Sequence, residues 1–515
     1  MFDLDARKML GAPAAVAATN GSAGIGAHAK RQLSPAALAA ASVATRPAIS
    51  PIVVAGVVRA IEATLIAFVG TLAYYVYVFP AEGLRWPYIV AIVGISTLSI
   101  VVFQAVDIYQ VHAFRRPLGQ MARLFSAWCV VFLVAIAVSF FFKLDLAFSR
   151  VWLLSFWAVG LVVLLALRSG LYVLVKAWMR DGRLTRRTVI VGGGAPGEAL
   201  INSLKAQEDG DVRVIGVFDD RNDERAPTHC GGFPKLGTVD DFVEFARRTR
   251  IDLVIFSLPI SAENRILSML KKLWVLPVDI RLSAHSNKLR FRPRSYSYIG
   301  TVPVLDVFDR PIADWDVVMK WLFDKIVGGL MLIAALPIMA VIAIAIKLDS
   351  RGPVLFKQKR YGFNNDLIEV YKFRSMYVDQ CDATANKLVT KGDSRVTRVG
   401  RFIRKASLDE LPQLFNVVFK GNLSLVGPRP HAVNAKAAAR LYDEAVDGYF
   451  ARHRVKPGVT GWAQINGWRG ETDTQEKIQK RVEYDLYYIE NWSLLFDFYI
   501  VLMTPFALLK SENAY

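Results

Sequence analysis

Apolar positions in the N-terminal part of the chain come in unbroken blocks, not at short period. Four runs without a charged residue, 63–80, 86–106, 124–142 and 151–167, follow one another. Each reaches, or nearly reaches, the roughly 20 residues a helix needs to cross a hydrocarbon core. This predicts four transmembrane helices within 51–180. The loop after the second run carries Arg115, Arg116 and Arg123, and the segment after the fourth carries Lys176, Arg180, Arg183, Arg186 and Arg187 against the single acid Asp181. The outer connections, around Glu82 and from Lys143 to Arg150, are short. Cationic loops stay on the cytoplasmic side, so the N-terminus and everything after residue 180 are expected there. With almost no charge inside the four runs, they are read as an anchor and not as a conducting path.

The pattern then changes. RRTVIVGGGAPGEALINSL gives a strand, a turn Gly192-x-Gly194-x-x-Gly197 and a helix, while VRVIGVFDD is a second strand that ends near Asp219. The apolar runs IDLVIFSLP and PVDIRLS alternate with helical stretches, as in a parallel α/β sheet. Residues 181–305 are therefore expected to form a Rossmann-like domain. Gly192, Gly194 and Gly197 are candidates for binding the phosphates of a dinucleotide at a helix N-terminus. Asp219 lies further along than the usual ribose-binding acid, and the competing reading is a scaffold whose glycines only make the turn.

A fifth apolar run, 326–346, follows Lys320, Asp324 and Lys325, ends at Lys347 and is interrupted by Pro337. Length alone makes it a fifth spanning helix. A helix at about 320–347, bent at Pro337, that enters and leaves by the cytoplasmic face would instead keep both ends inside. It would open a C-terminal domain covering 306–515. Residues 1–50, rich in Ala, Ser, Gly and Pro, read as a disordered tail.

Composition supports a membrane protein with anionic partners, since 53% of the 515 residues are hydrophobic and the formal charge is +18. The three cysteines, Cys129, Cys230 and Cys381, are far apart, so neither a disulfide framework nor a zinc site is expected. After the fifth run the cations cluster: Lys357, Lys359, Arg360, Lys372, Arg374, Lys391, Arg395, Arg398, Arg401, Arg404 and Lys405 outnumber the nearby acids. With no recognition helix or aromatic platform, they read as binders of phosphate and anionic headgroups and not of nucleic acid. Within this region SLDELPQLFNVVFKGNLSLVGPRP sets Asp409 beside Glu410. Ser407-x-x-Glu410 fits a helix capping box, and the paired carboxylates also fit a reaction centre.

The segments KFRSM, RFIRKASLDELPQLFNV, LSLVGPRP, KPGVTGWAQINGWRG and YDLYYIENWSLLFDFYIVLMT resemble the bacterial sugar transferases, the polyprenyl-phosphate hexose-1-phosphate transferases. The resemblance covers about 315–515. The helices and glycine-loop domain in front resemble the long form of that family, which includes undecaprenyl-phosphate glucose phosphotransferases. It implies transfer of glucose 1-phosphate from UDP-glucose to undecaprenyl phosphate at the lipid bilayer of the inner membrane, with UMP released and an exopolysaccharide repeat unit begun. Asp409 would be the nucleophile, forming a covalent phosphosugar, and Glu410 would bind Mg²⁺. Arg404 would hold the lipid phosphate, and Arg429, stiffened by Pro428 and Pro430, a second phosphate or the nucleotide. Lys372, Arg374 and Asp485 are further substrate-binding candidates, with surface salt bridges as the alternative. Where the family pattern often continues GPRP with Glu, this chain has His431. UDP-galactose or a UDP-N-acetylhexosamine fits the same chemistry, and a homodimer is left open.

A membrane-tethered NAD-dependent nucleotide-sugar dehydratase is the rival enzyme. Its Tyr-x-x-x-Lys pair exists only as Tyr172 and Lys176, ahead of the glycine loop and not behind it. A non-catalytic assembly scaffold would leave the 393–430 cluster without a task.

Overall fold

The structure, a computed structural model, describes residues 32–43, 46–109, 117–142, 148–207, 211–221, 229–259, 262–284, 297–299, 302–378, 393–430, 436–437, 440–441, 449–468, 470 and 474–510. Arg115, Arg116, Lys143, Cys381, Lys391 and His431 lie outside them. The chain divides into two compact units. One is 44–186 with 207–213, and the other comprises 1–43, 187–206 and 214–515.

The first unit holds the helices Pro51–Ala73, Trp86–Ala105, Pro117–Phe141 and Arg150–Arg180. The first packs on the second and fourth, and so does the third. Ser50 and Ser149 cap the first and fourth through their hydroxyls, supplying acceptors to N–H groups that have no partner inside the helix. Buried aromatic rings fill the interior, among them Tyr88, Trp128, Trp152 and Phe156. Two glycines make room for them. A Cβ at Gly160 would lie 2.6 Å from Trp128 and one at Gly70 2.7 Å from Phe156.

The expectation of an interior almost free of charge is corrected here. Glu62 and Arg168 are fully buried and pair at 2.7 Å, and the Arg59 guanidinium sits 4.9 Å from the centre of the Tyr109 ring. The charge-free runs stop short of these residues, whereas the helices continue through them. Opposite charges on facing helices neutralise each other, which makes their burial tolerable.

In the second unit an eight-stranded sheet has the order β3-β4-β2-β1-β5-β6-β8-β7. Its strands are β1 (Arg186–Val191), β2 (Val212–Phe218), β3 (His229–Cys230), β4 (Phe233–Gly237), β5 (Leu253–Phe256), β6 (Asp279–Ser283), β7 (Ser297–Ile299) and β8 (Val302–Phe308). Strand β5 runs parallel to β1 and β6, and β2 parallel to β4, but β3, β7 and β8 pair antiparallel with their neighbours. The sheet is therefore mixed and not purely parallel. β7 and β8 are adjacent in sequence, and a short connection permits only antiparallel pairing. The expected boundary at 305 falls inside β8.

The N-terminal tail also departs from expectation, because Pro35–Ser42 is a helix. Ser34 caps it and donates to Leu236 O at 2.6 Å, while Leu33 and Ala37 are buried against the sheet domain. An apolar face on a capped segment was enough to dock it.

The C-terminal part opens with a helix of 36 residues, Asp314–Asp349, continuous through Pro337. Phe323, Gly328, Leu332, Ala335, Met339, Ile342 and Ile346 are buried along it at helical spacing, and the opposite face exposes Ile326, Leu330, Ile333, Val341 and Ile344. Among the described residues five helices are long and apolar enough to cross a membrane, this one included. The buried stripe joins one core with the hairpin β9 (Leu355–Tyr361) and β10 (Leu367–Phe373) and with the helices Arg398–Lys405, Gln475–Glu490 and Leu494–Lys510.

Candidate active site

Thr397 begins the basic helix Arg398–Lys405 by accepting the Gly400 N–H at 2.9 Å. Asp349, at the far end of the long helix, accepts the Val399 N–H at 3.1 Å. Gly400 is required by contact, since a Cβ there would lie 2.1 Å from Ser375 O. The helix stops at Ala406, and Ser407 adopts a left-handed conformation at φ 58°, uncommon for a residue with a side chain. A three-residue turn, Leu408–Glu410, follows.

Ser407 makes no side-chain cap bond, so the capping box does not form. Glu410 points instead at two cations. Its Oε1 receives Lys372 Nζ at 2.8 Å and Arg429 Nη2 at 2.5 Å. Lys372 comes from β10, which Asn416 clamps in place: the amide accepts Tyr371 N–H at 2.9 Å and donates to Glu369 O at 2.7 Å. Arg429 follows β11 (Ser424–Val426), which runs beside Gly458–Thr460. A Cβ at Gly427 would lie 2.5 Å from Lys456 O, so only glycine lets these segments approach. Arg360 on β9 donates to Gln358 Oε1 and to Pro430 O, closing the cluster.

Burial works against the charges of Glu410, Asp409, Lys372 and Arg360, and the partners decide the outcome. Burial alone would raise Glu410, but Arg429 and Lys372, with Arg360 behind them, hold its carboxyl well below the usual range. Asp409 goes the other way. Burial and the adjacent Glu410 push it up against the pull of Lys372, Arg404 and Arg429. Burial likewise lowers Lys372, and it lowers Arg360 to about 10 with help from the Arg429 charge. Asp409 has no hydrogen bond or ion pair among the described residues.

A cavity of about 250 Å³ opens at this cluster. Ser407, Glu410, Arg429 and Gln464 line its polar end. Met331 of the long helix, Leu414, and Val501, Pro505 and Leu508 of the last helix supply apolar wall. Among the described residues no group of three or more His, Cys, Asp or Glu could hold a metal. Both bonds to Glu410 end on Oε1, leaving Oε2 without a hydrogen bond among the described residues. The donor set therefore fits a hard divalent ion only where substrate phosphates complete its shell.

The family described as bacterial sugar transferase matches residues 315–511. A family described as CoA-binding domain matches 104–284. The undecaprenyl-phosphate glucose phosphotransferase of Komagataeibacter xylinus is 40% identical over 370 residues, 70% of this chain and 66% of that protein. The UDP-glucose:undecaprenyl-phosphate glucose-1-phosphate transferase of Xanthomonas campestris pv. campestris is 34% identical over 463 residues, 89% of this chain and 94% of that protein. The chain belongs to the bacterial sugar transferase family. Another relative, 43% identical over 179 residues (35% of this chain, 40% of that protein), is the UDP-N-acetylgalactosamine-undecaprenyl-phosphate N-acetylgalactosaminephosphotransferase of Aeromonas hydrophila.

In this sugar transferase four of the residues singled out from sequence, Lys372, Asp409, Glu410 and Arg429, come together. Arg404 is near enough for its charge to act on Asp409 and has no ion-pair partner among the described residues. Two others do not offer their polar groups to a substrate. Arg374, 3% exposed, donates to Ser350 O, Arg351 O and Pro353 O and so ties the end of the long helix to β10. Asp485 is buried against Arg452 at 2.5 Å. Neither is the surface salt bridge that was the alternative.

Arg360, Asn416 and Gln464 were not picked out as site residues. Arg360 stood in the basic run but carried no mark separating it from its neighbours, and Asn416 sits in an apolar stretch with no motif of its own.

The glycine turn of the sugar transferase has the expected shape, with Gly192 at φ 100° and Gly194 at φ 83°. A Cβ at Gly197 would lie 2.6 Å from Gly192 O. However, Gly193 N–H donates to Asp219 at 2.8 Å, and Arg221 bonds both Asp219 and Gly193 O at 2.6 Å. That N–H is thus given to a carboxylate of the same domain.

Proposed function

We propose that this sugar transferase moves glucose 1-phosphate from UDP-glucose to undecaprenyl phosphate through a phosphosugar on Asp409. The observation that carries the reading is a carboxylate without a hydrogen-bond or ion-pair partner among the described residues, raised above its usual range and under the charges of Lys372, Arg404 and Arg429, next in the chain to Glu410, which lines an apolar-walled cavity. A carboxylate oxygen of Asp409 attacks the β-phosphorus, the bond to the bridging oxygen breaks, and UMP leaves with the electron pair. An oxygen of the lipid phosphate then attacks the same phosphorus and displaces Asp409, giving undecaprenyl-diphospho-glucose. Arg404 and Arg429 are suited to the phosphates because a guanidinium can hold two oxygens at once. Lys372 keeps Glu410 ionised and oriented beside the nucleophile. Mg²⁺, held by Glu410 and the substrate diphosphate, would neutralise charge on the leaving UMP.

The apolar cavity wall suits a polyprenyl chain, and the exposed apolar faces of Asp314–Asp349 and Leu494–Lys510 suit contact with lipid. We read the long helix as re-entrant from the cytoplasmic face of the inner membrane. Two contacts support this. Near its start Lys320 bonds Asp497 at 2.5 Å, and at its end Asp349 bonds the Val399 N–H, so both ends are tied to one domain. The bend expected at Pro337 remains part of this proposal. The middle domain is read as a scaffold.

Relatives named for UDP-glucose cover most of the chain, which favours glucose. The Aeromonas hydrophila relative keeps a UDP-N-acetylhexosamine as the second reading, and UDP-galactose is a third. Purified protein in detergent, given undecaprenyl phosphate and each UDP-sugar in turn, should release UMP fastest with UDP-glucose and take up radiolabelled sugar phosphate covalently. Asp409→Asn should abolish both. Turnover by that variant at the unmodified rate would remove the nucleophile assignment, and faster UMP release from another sugar would replace the substrate.

A further inference from the structure

The short helix Tyr449–Arg454 lies between the sheet domain and the active site and touches both. On one side the Arg247 guanidinium, from the sheet-domain helix Val239–Arg248, lies 5.8 Å from the centre of the Phe450 ring. Arg454 donates to Asp309 O at 2.9 Å, just beyond β8. Nearby, Asn364 in the β9–β10 turn donates to Ala246 O at 3.4 Å, a further contact between the same bodies. On the other side Arg452, with its side chain fully buried, pairs with Asp485 at 2.5 Å and donates to Arg429 O at 2.8 Å. Arg429 in turn holds Glu410. His453 is packed among Tyr361, Tyr449 and Phe450, and the charges of Arg452 and Arg247 both act on it.

A buried ion pair is weak evidence of stability, because desolvation offsets much of its attraction. Arg452–Asp485 does something an apolar pair of equal volume would not. It presents a guanidinium N–H to one backbone carbonyl, that of the arginine at the catalytic carboxylates. We propose that Tyr449–Arg454 is a positioning element, in which Arg452, locked by Asp485, fixes the backbone of Arg429 while the docked sheet domain sets where the element sits. The proposal rests on the reading of Arg429 as a phosphate and Glu410 contact. It also assigns Asp485 and the sheet domain a part in turnover without either touching substrate.

The test uses the full chain in detergent and follows UMP release from UDP-glucose. Arg452→Lys keeps a cation near Asp485, but the shorter side chain does not carry a nitrogen to the position of Nη2, the atom that meets both Asp485 and Arg429 O. Its kcat should fall about tenfold to a hundredfold, as expected when a reacting group is misplaced. KM for UDP-glucose and the melting temperature should stay near those of the unmodified protein. Asp485→Asn should behave alike and serves if the lysine variant does not fold. Arg247→Ala should lower kcat several-fold, roughly the scale of contacts acting at second hand. Added to Arg452→Lys it should give little further loss, because two changes on one path are not additive. Arg248→Ala, on the same helix, should change nothing. Unmodified kcat in both Arg452→Lys and Asp485→Asn overturns the positioning role, and full additivity with Arg247→Ala overturns the part given to the sheet domain. Arg429→Ala separates the two readings: if it keeps full turnover the site assignment has failed, and if it is inactive while Arg452→Lys is not, only the positioning proposal has.

Discussion

Arg429 Nη2 lies 2.5 Å from Glu410 Oε1, the same oxygen that Lys372 Nζ reaches at 2.8 Å. Two cations converge on one atom of one carboxylate. Glu410 is therefore held charged in a partly buried site where the carboxyl of its neighbour Asp409 is pushed up. Of two chemically similar side chains, one is held as an anion by two cations and the other has no hydrogen-bond or ion-pair partner among the described residues.

Glu410→Gln is expected to fold, since the amide oxygen still accepts from Lys372 and Arg429. Turnover should fall by about two to three orders of magnitude, the range seen when one preorganised charge at a reacting centre is lost. If the second carboxylate oxygen holds Mg²⁺, half-activation should also need more of the ion. Steady-state UMP release across a Mg²⁺ titration measures both, and an unchanged titration would leave Glu410 a purely electrostatic role.

His453 gives a pH dependence of stability with a definite sign. Burial, with Arg452 and Arg247 nearby, holds it well below its ordinary 6.5, so the folded protein keeps it neutral. Below pH 6.5 the unfolded chain takes up a proton that the folded chain refuses. The contribution is complete above that pH and declines as pH falls toward the folded value, by up to about 1.4 kcal/mol per unit. Melting temperatures from about pH 7.5 to 5 should fall less steeply for His453→Phe than for the parent. Equal slopes would mean that His453 takes up its proton as readily in the folded chain as in the unfolded one.

Asp497 is fully buried and accepts from Lys320 at 2.5 Å, Tyr488 at 2.8 Å and Trp492 at 3.2 Å. Asp497→Leu takes from Lys320 the nearer of its two carboxylates, leaving Asp324 at 3.9 Å, and should destabilise the protein by about 3 kcal/mol. Adding Lys320→Met should recover most of that loss in a denaturation experiment. Failure of the second change to recover stability would show that the aspartate acts through packing and not through the lysine.

The re-entrant reading is checked with single cysteines in a cysteine-free background at Asp316, exposed in the first turn of the long helix, and at Lys359, exposed on β9 beyond its end. Both should be protected from a membrane-impermeant thiol reagent in intact cells and react after permeabilisation. Pro337→Ala restores the helix hydrogen bond that proline lacks and should shift some molecules to a spanning state, with activity falling in proportion. Labelling at Lys359 but not at Asp316 in otherwise unmodified protein would mean that the helix crosses.

The sequence by itself determined the apolar blocks, the strand–glycine–helix unit at 186–205 and the adjacency of Asp409 and Glu410. These are local properties, carried by period, by turn residues and by neighbours in the chain. What only the tertiary structure decided is which donor meets which acceptor. Lys372 and Glu410 stand 38 positions apart, and Arg187 and Asp252 65, and no local pattern couples them. The same packing turned Arg374 and Asp485 inward and brought Arg360 to the site. It also set Asp219 on the glycine turn and buried Glu62 against Arg168 in helices whose apolar runs had hidden both. Excluding water leaves a buried charge only the partners that the fold supplies, and those partners come from distant segments.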